Sequence, residues 1–451
     1  MAKDSASVVI CGAGYAGLSA AYYLATKRNI TDVIIVDPQP PLTLTSNKGT
    51  EGYRTWWPDT TMMRFINHSI DLLEHAMLSS GSPAWLNRRG YVLLTAQPDE
   101  AERLRKQAQH VASLGAGEYR EHPGPIPYQA APATEFRDQP VGIDFLLDTT
   151  LIREHYPCLR SDVLAMAHVR RAGFFDSWRF GQWMLAQVQA RGVRVQQDRV
   201  VSIDVTGGRV QTVHLASGTS VDTEACVIAA GPYLKQVAKL LGLDLPVVNE
   251  VHAKLTLRDV HGVVPRNIPL MIWNDPVDLA WTEAERRTWA ADPQTQWLLE
   301  TIPSGIHVRP RGAQDVLLIW TFDVHTLEEP VYPPPFNPHY SEVLIRGLAE
   351  MIPGFHVYFG QGNPAHVDGG YYCKTPENRP LIGPLPVDGA YVIAALTGYG
   401  LMASQAAGDL LAAHVAGEAL PDYAPAFLLS RYADPAYQAQ LAQMDTASGQ
   451  L

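Results

Sequence analysis

The sequence predicts an α/β fold in two parts: a dinucleotide-binding domain assembled from discontinuous segments, and an α+β second domain of mainly antiparallel sheet. Three observations predict it. A short apolar run, Ser7 to Cys11, leads directly into the glycine-rich turn GAGYAG. A second apolar run, Asp32 to Val36, follows the small and apolar helix-like stretch AGLSAAYYLATKR and ends at Asp37. From Val247 to about His366, runs such as AKLTLRDV and DVLLIWTFDV alternate apolar and polar residues, the pattern of strands with one buried face.

The first unit is strand, turn, helix, strand. Gly12, Gly14 and Gly17 form G-x-G-x-x-G, and Asp37 closes the second strand 20 residues beyond Gly17. Each residue has its own physical reason. Gly12 permits the tight turn, Gly14 lets backbone N–H groups approach a pyrophosphate, and Gly17 allows close helix-to-strand packing. The helix N-terminus brings partial positive charge to the phosphates, and Asp37 accepts from ribose hydroxyls. An acid at that place repels a 2′-phosphate. This is the Rossmann-type arrangement.

After Thr43 come WWPD, the helix-like MRFINHSIDLLEHAML, and the proline-rich loop HPGPIPYQAAPATEF, read as a crossing between domains. SWRFGQWMLAQVQARG reads as a helix ending near Gly192, and TEACVIAAGPYL as a buried strand ending at Gly231. The closing segment from Thr375 is strand, glycine turn and helix, a return to nucleotide-domain style. Residues 1–80, 160–235 and 366–430 are therefore expected to form the nucleotide-binding domain, and 81–159 with 236–365 the substrate-binding domain.

Composition excludes several classes. A chain of 451 residues exceeds one ordinary core. A net charge of -11 repels phosphate backbones, so nucleic acid is not expected as a partner. Cys11, Cys158, Cys226 and Cys373 are scattered and read as reduced thiols. The opening MAKDSASVVICGAG shows no apolar signal core, and no later run has the ~18 apolar residues a membrane span needs. A cytoplasmic protein is the expectation. His252, His307, His325, His339, His356 and His366 lack metal-site spacing and read as surface or hydrogen-bonded structural histidines; no metal is expected.

Four blocks, kept in order, carry a family resemblance. They are VVICGAGYAGLSAAYYLA with IIVD, AGFFDSWRFGQWMLAQVQARGVRV, CVIAAGPYLKQVAKLLGLDLPV, and TPENRPLIGPLP with AYVIAALTGYGLMASQAAGDLL. With them the sequence resembles the D-amino-acid oxidase family. The resemblance implies a Rossmann-type FAD-binding domain and oxidation of the C–N bond of an amine or amino acid, N-substituted or bulky ones included, by hydride transfer to flavin N5. It places Gly398, Gly400, Leu401 and Met402 of the closing turn at the flavin pyrimidine edge. It also places Ser46 in the loop after the second strand, Val201 where backbone meets the adenine, and Gly231 beside the dinucleotide; Val201 serves equally well as plain core.

Departures from the family pattern bear on substrate and flavin attachment. Covalently flavinylated members carry a cysteine five residues before the threonine matching Thr375, and here that place is Gly370. Cys373 is offset by three, onto the other face of a strand. Non-covalent FAD is therefore expected. The arginine and lysine with which members hold a substrate carboxylate correspond to Tyr372 and Met402.

Candidate substrate residues remain. Arg54 is either a fork for a carboxylate or a solvated loop arginine. Lys254 interrupts an apolar alternation, as a substrate contact, an oxygen-activating cation or a surface lysine on an edge strand. Tyr371, Tyr372 and Tyr399 form a possible aromatic cage for an amine, against packing as the plain alternative. Trp56, Trp57, Trp273 and Trp320 are candidates for an apolar pocket wall or for core. The electron acceptor is O2 or a carrier. Two rival readings stand beside this one: an FAD monooxygenase, whose late Gly-Asp dipeptide is replaced here by AALTGYG, and a non-catalytic flavoprotein subunit of a hetero-complex.

Overall fold

A computed structural model of the chain describes residues 3–134, 136–361 and 365–443. The two apolar runs form adjacent parallel strands. Lys3–Cys11 lies between Val33–Asp37 and Ser220–Ile228, with Val9 opposite Ile34 on one side and Cys226 on the other. Val8, Ile10, Val33 and Ile35 enter the core on one face of this sheet, while Val9, Cys11, Ile34 and Val36 enter the core on the opposite face. Both faces are covered, which is why these strands read as continuous apolar runs.

The first sheet has eight strands. Arg194–Gln197 extends it beyond Val33–Asp37, in parallel. Ser220–Ile228 forks: its first half pairs antiparallel with Arg209–Leu215, and its last three residues pair parallel with Ala390–Ala394. The front, middle and end of the chain thus meet in one sheet. The helices repeat this convergence. Tyr15–Lys27 packs on Gly400–Ala416 so closely that a Cβ at Gly408 would lie 2.5 Å from the Ser19 carbonyl carbon. Thr60–Ser79, capped by Asp59, packs on the same closing helix, with Ser69 Oγ donating to the Met402 carbonyl. Asp409 clamps the three helices, accepting from Lys27 at 2.9 Å and from Arg28 at 2.5 Å, with the His68 ring at 3.2 Å.

The second sheet has ten strands and is mainly antiparallel. Next to one edge, Val248–Arg258 pairs with Asp315–Ile319, His325–Thr326 and Ala365–Lys374. Asp315–Ile319 continues through Ile306–Arg311 and Leu270–Trp273 to Tyr91–Thr95. A separate core fills its far face, with Trp273 and Trp320 among its largest members.

Three details differ from the sequence expectation. Ala165–Val169 and, from its second residue on, Ala365–Lys374 lie in segments expected in the nucleotide domain, yet both pair in the second sheet. Local pattern marks a strand, but its sheet is set by tertiary partners. The proline-rich loop is no crossing, because the strands flanking it, Tyr119–His122 and Ile143–Leu146, pair with each other. Lys254 is not on an edge, since its strand has neighbours on both sides. No helix among the described residues is long and apolar enough to cross a membrane.

Candidate active site

Three consecutive cavities run from the glycine turn to the second sheet. The first, of about 610 Å³, is lined by Gly12, Gly14, Asp37, Ser46, Val201 and Gly231, among others. The second, of about 150 Å³, shares Gly14, Ser46 and Gly231 with the first and adds Gly398, Gly400 and Leu401 of the closing turn. The third, of about 300 Å³, shares His252, Tyr372, Gly398 and Tyr399 with the second and adds Arg54, His307 and Met402.

The local geometry of the first cavity follows from its glycines. Gly12 has φ of +122°, a conformation that L side chains rarely adopt. Gly17 lines no cavity; a Cβ there would meet the Gly12 carbonyl oxygen at 1.9 Å, so it is a packing glycine. Gly14 caps the first helix without a side-chain partner, leaving the helix N-terminus open toward an anion. Ser46 Oγ accepts from the Tyr15 N–H, and Asp37 accepts from Ala13 at 2.7 Å and Gln39 at 2.8 Å. Burial raises the Asp37 carboxyl, and these two N–H donors oppose that. The glycine-lined cradle, the acid at its side and a cavity of about 610 Å³ at the helix N-terminus fit an adenine dinucleotide.

The inner cavity is floored by the second sheet. His307 stands opposite Ile319 in adjacent strands, Tyr91 pairs with Leu270, and all four line the wall. Arg54 enters from the short strand Gly52–Arg54, is 6% exposed, and lies over the Trp57 ring at 4.7 Å. Its guanidinium is 4.0 Å from Met402 Sδ, and burial lowers its pKa. It is no solvated loop arginine. Met402 lines this inner cavity and not the second one.

The tyrosines divide by role. Tyr372 lies between the second and third cavities, stacked on His252 with ring centroids 3.5 Å apart, and burial pushes its hydroxyl up to about 12. Tyr399 bridges the same cavities; its hydroxyl donates to the Asn378 carbonyl and its ring meets Trp57 edge-on. The Tyr371 hydroxyl is occupied by both backbone groups of Val331 at 2.8 Å, so it fastens a loop rather than facing the inner cavity. Lys254 lines the second cavity, 3% exposed, paired with Asp368, which also holds Lys48 at 3.0 Å. Burial lowers the Lys254 pKa, and Asp368 works against that shift.

Sequence reasoning missed the two histidines. His252 and His307 are 6% and 8% exposed and line the inner cavity, not the protein surface. Their alternation with apolar neighbours on strands of a buried sheet was the available signal. Arg309 was also missed: it donates to the Thr50 carbonyl at 2.8 Å and pairs with Glu51 at 2.5 Å, tying the Thr50–Glu51 turn to the sheet. The four tryptophans are core residues, and none lines the three cavities. Among the described residues no group of three or more His, Cys, Asp or Glu side chains is placed to hold a metal.

The fold and cradle define an FAD-dependent oxidoreductase. The chain belongs to the DAO family, "FAD dependent oxidoreductase", whose model matches residues 7–414. It is 22% identical to the mitochondrial dimethylglycine dehydrogenase of Rattus norvegicus over 421 residues, 91% of this chain and 43% of that protein. The chain therefore spans less than half the length of that relative. Among solved structures it is similar to L-proline dehydrogenase from P. horikoshii, with a TM-score of 0.72 and 16% identity over 96% of this chain and 98% of that one. Glycine oxidase from Geobacillus kaustophilus gives a TM-score of 0.71 and 16% identity over 96% and 99%. These likenesses show the fold.

Proposed function

We propose that this chain oxidises the C–N bond of an amino acid or carboxylate-bearing amine bound in the inner cavity. The observation that carries the reading is Arg54, a buried guanidinium on the wall of a cavity that opens onto the closing turn. A planar fork of N–H donors in a buried site suits a carboxylate, and it substitutes for the two family anchors replaced by Tyr372 and Met402. The substrates in the relatives' names, dimethylglycine, glycine and L-proline, agree with this class.

In this reading Gly12, Gly14, Asp37, Ser46, Val201 and Gly231 hold the dinucleotide, Gly17 packs the turn, and Gly398, Gly400 and Leu401 back the ring. Bound FAD supplies a two-electron acceptor for the hydrogen on the carbon beside the nitrogen. Tyr372 and Tyr399 wall the substrate and exclude water, while Arg54 fixes its carboxylate. Attachment is non-covalent: Gly370 offers no nucleophile, and burial pushes the Cys373 thiol up to about 12, far from a thiolate.

The test is anaerobic bleaching of flavin absorbance by glycine, N-methylglycine, N,N-dimethylglycine, L-proline and larger L-amino acids, with the corresponding carboxylate-free amines alongside. Bleaching by one or more acids but not by their carboxylate-free partners is expected. Bleaching by none, or equally by the carboxylate-free amines, overturns the reading.

A further inference from the structure

An amine enters a neutral solution protonated, and the ammonium must lose a proton before its carbon can give up a hydride. The proposal that follows rests on the amine-oxidation reading and names the group that takes this proton. His252 lines both the ring-side and the inner cavity. Its Nε2 lies 3.3 Å from Glu250 Oε2. A carboxylate only accepts, so Nε2 carries the hydrogen and Nδ1 carries the lone pair. Nε2 to Glu250 is the histidine's only hydrogen bond among the described residues, which leaves Nδ1 without a protein partner on a ring that lines the cavity.

We infer that His252, backed by Glu250, is a catalytic base that accepts the substrate ammonium proton at Nδ1. In this step one N–H bond of the substrate breaks, its electron pair stays on the substrate nitrogen, and an N–H bond forms on the imidazole. Nothing is oxidised or reduced. The imidazolium so formed is held by Glu250 on its Nε2 side and by the face of Tyr372, 3.5 Å away and nearly parallel. Glu250 also pairs with Lys374 at 3.1 Å, linking the buried ring to a partly exposed carboxylate.

The surrounding charges act in opposite directions. Burial lowers the His252 pKa most, and Glu250, on the same strand, raises it. Lys374 on one neighbouring strand and His325 on the other lower it. Asp315–Ile319 contributes only Ile319 to the wall, and across the cavity stand Arg54 and Tyr399. Burial thus favours the neutral form of the ring, the form that accepts a proton.

The experiment is the pH dependence of the bimolecular rate of anaerobic flavin bleaching, with N,N-dimethylglycine and L-proline as probes. Wild type, His252→Asn, His252→Gln and Glu250→Gln are compared after the flavin content of each is measured. The histidine variants are expected to lose roughly 100-fold or more at pH 7. They regain the wild-type rate above the pKa of the probe's own amine, where free amine needs no acceptor. Glu250→Gln shows a smaller loss of the same pH shape and decides the matter if the histidine variants fail to hold flavin. No loss, or a loss of equal size at every pH, overturns the proposal by assigning His252 a structural role. A wild-type flavin that neither these probes nor the other amino acids bleach refutes the amine-oxidation reading itself.

Discussion

Alanine at Gly17 and at Gly14 separates what the glycine turn does for folding from what it does for the ligand. A Cβ at Gly17 would lie 1.9 Å from the Gly12 carbonyl oxygen and 3.1 Å from Ile10. Ordinary contact begins at 3.4 Å, so the helix must retreat by roughly 1.5 Å from a strand packed at interior density. Overpacking of this kind costs about 3 kcal/mol, against which the better helix propensity of alanine returns at most about 1 kcal/mol. The clash wins, and Gly17→Ala is expected to lower apoprotein stability by about 2 kcal/mol or more. Gly14→Ala meets only Ser46 Oγ, at 2.9 Å, a hydroxyl whose displacement costs at most its hydrogen bond from the Tyr15 N–H, about 1 kcal/mol. Its added methyl instead lines the first and second cavities, where phosphate oxygens would approach the helix N-terminus. Loss of one charge-assisted hydrogen bond, about 1.5–3 kcal/mol, weakens FAD binding by about 10- to 100-fold with apoprotein stability unchanged to within ~1 kcal/mol. Urea unfolding of the apoproteins and calorimetric FAD titration measure both. A Gly14→Ala protein that binds FAD within about 3-fold of wild type refutes the cradle assignment.

Other expectations follow from the same geometry. Arg54→Gln should reduce kcat/KM for a carboxylate-bearing substrate by about 100-fold, one to two charged hydrogen bonds, and Arg54→Lys should not restore it, since an ammonium lacks the planar fork; full activity in either variant removes Arg54 from the site. Asp409→Asn leaves Arg28, whose side chain is 3% exposed, with only the more exposed Glu418 carboxylate at 3.0 Å, and should cost about 1.5–3 kcal/mol at pH 7. The Asp409 pKa is held well below its ordinary value, with His68, Arg28 and Lys27 as the lowering partners against burial. Its contribution is therefore complete above the unfolded pKa of about 4 and is lost as pH falls below that. Urea midpoints of wild type and variant should converge as pH falls from 7 toward 3, and a constant gap contradicts the ion-pair origin. Acid precipitation should release the flavin into the supernatant, and flavin retained on the polypeptide contradicts non-covalent attachment.

The nucleotide half was legible because its determinants are local. Gly12, Gly14, Gly17 and Asp37 sit within one strand-turn-helix-strand unit, where spacing alone fixes their relation. The closing turn at Gly398 to Leu401 was legible through family resemblance, and it lines the second cavity. The substrate half was less legible because its wall is the face of a sheet whose strands come from distant segments. His252, His307 and Tyr91 become neighbours only through pairing that no single window encodes. The same limit hid Asp368, which offsets the charge of Lys254, and Val331, which occupies the Tyr371 hydroxyl.

Gly398 shows how the two halves depend on each other. A Cβ there would come within 2.3 Å of the Tyr372 ring, so the glycine is needed for close approach and not for an unusual φ. The turn belongs to the chain's closing segment, and the tyrosine to the second sheet. Their contact sets the spacing between the second cavity and the third, and Tyr372 carries it onward by stacking on His252. Arg309 does the same from the other side, fastening the Thr50–Glu51 turn next to Arg54. The distance from the second cavity to Arg54 is thus fixed by packed side chains between the closing turn and the second sheet. A change at this seam would move substrate and acceptor relative to each other without touching either, so activity should be more sensitive there than flavin affinity.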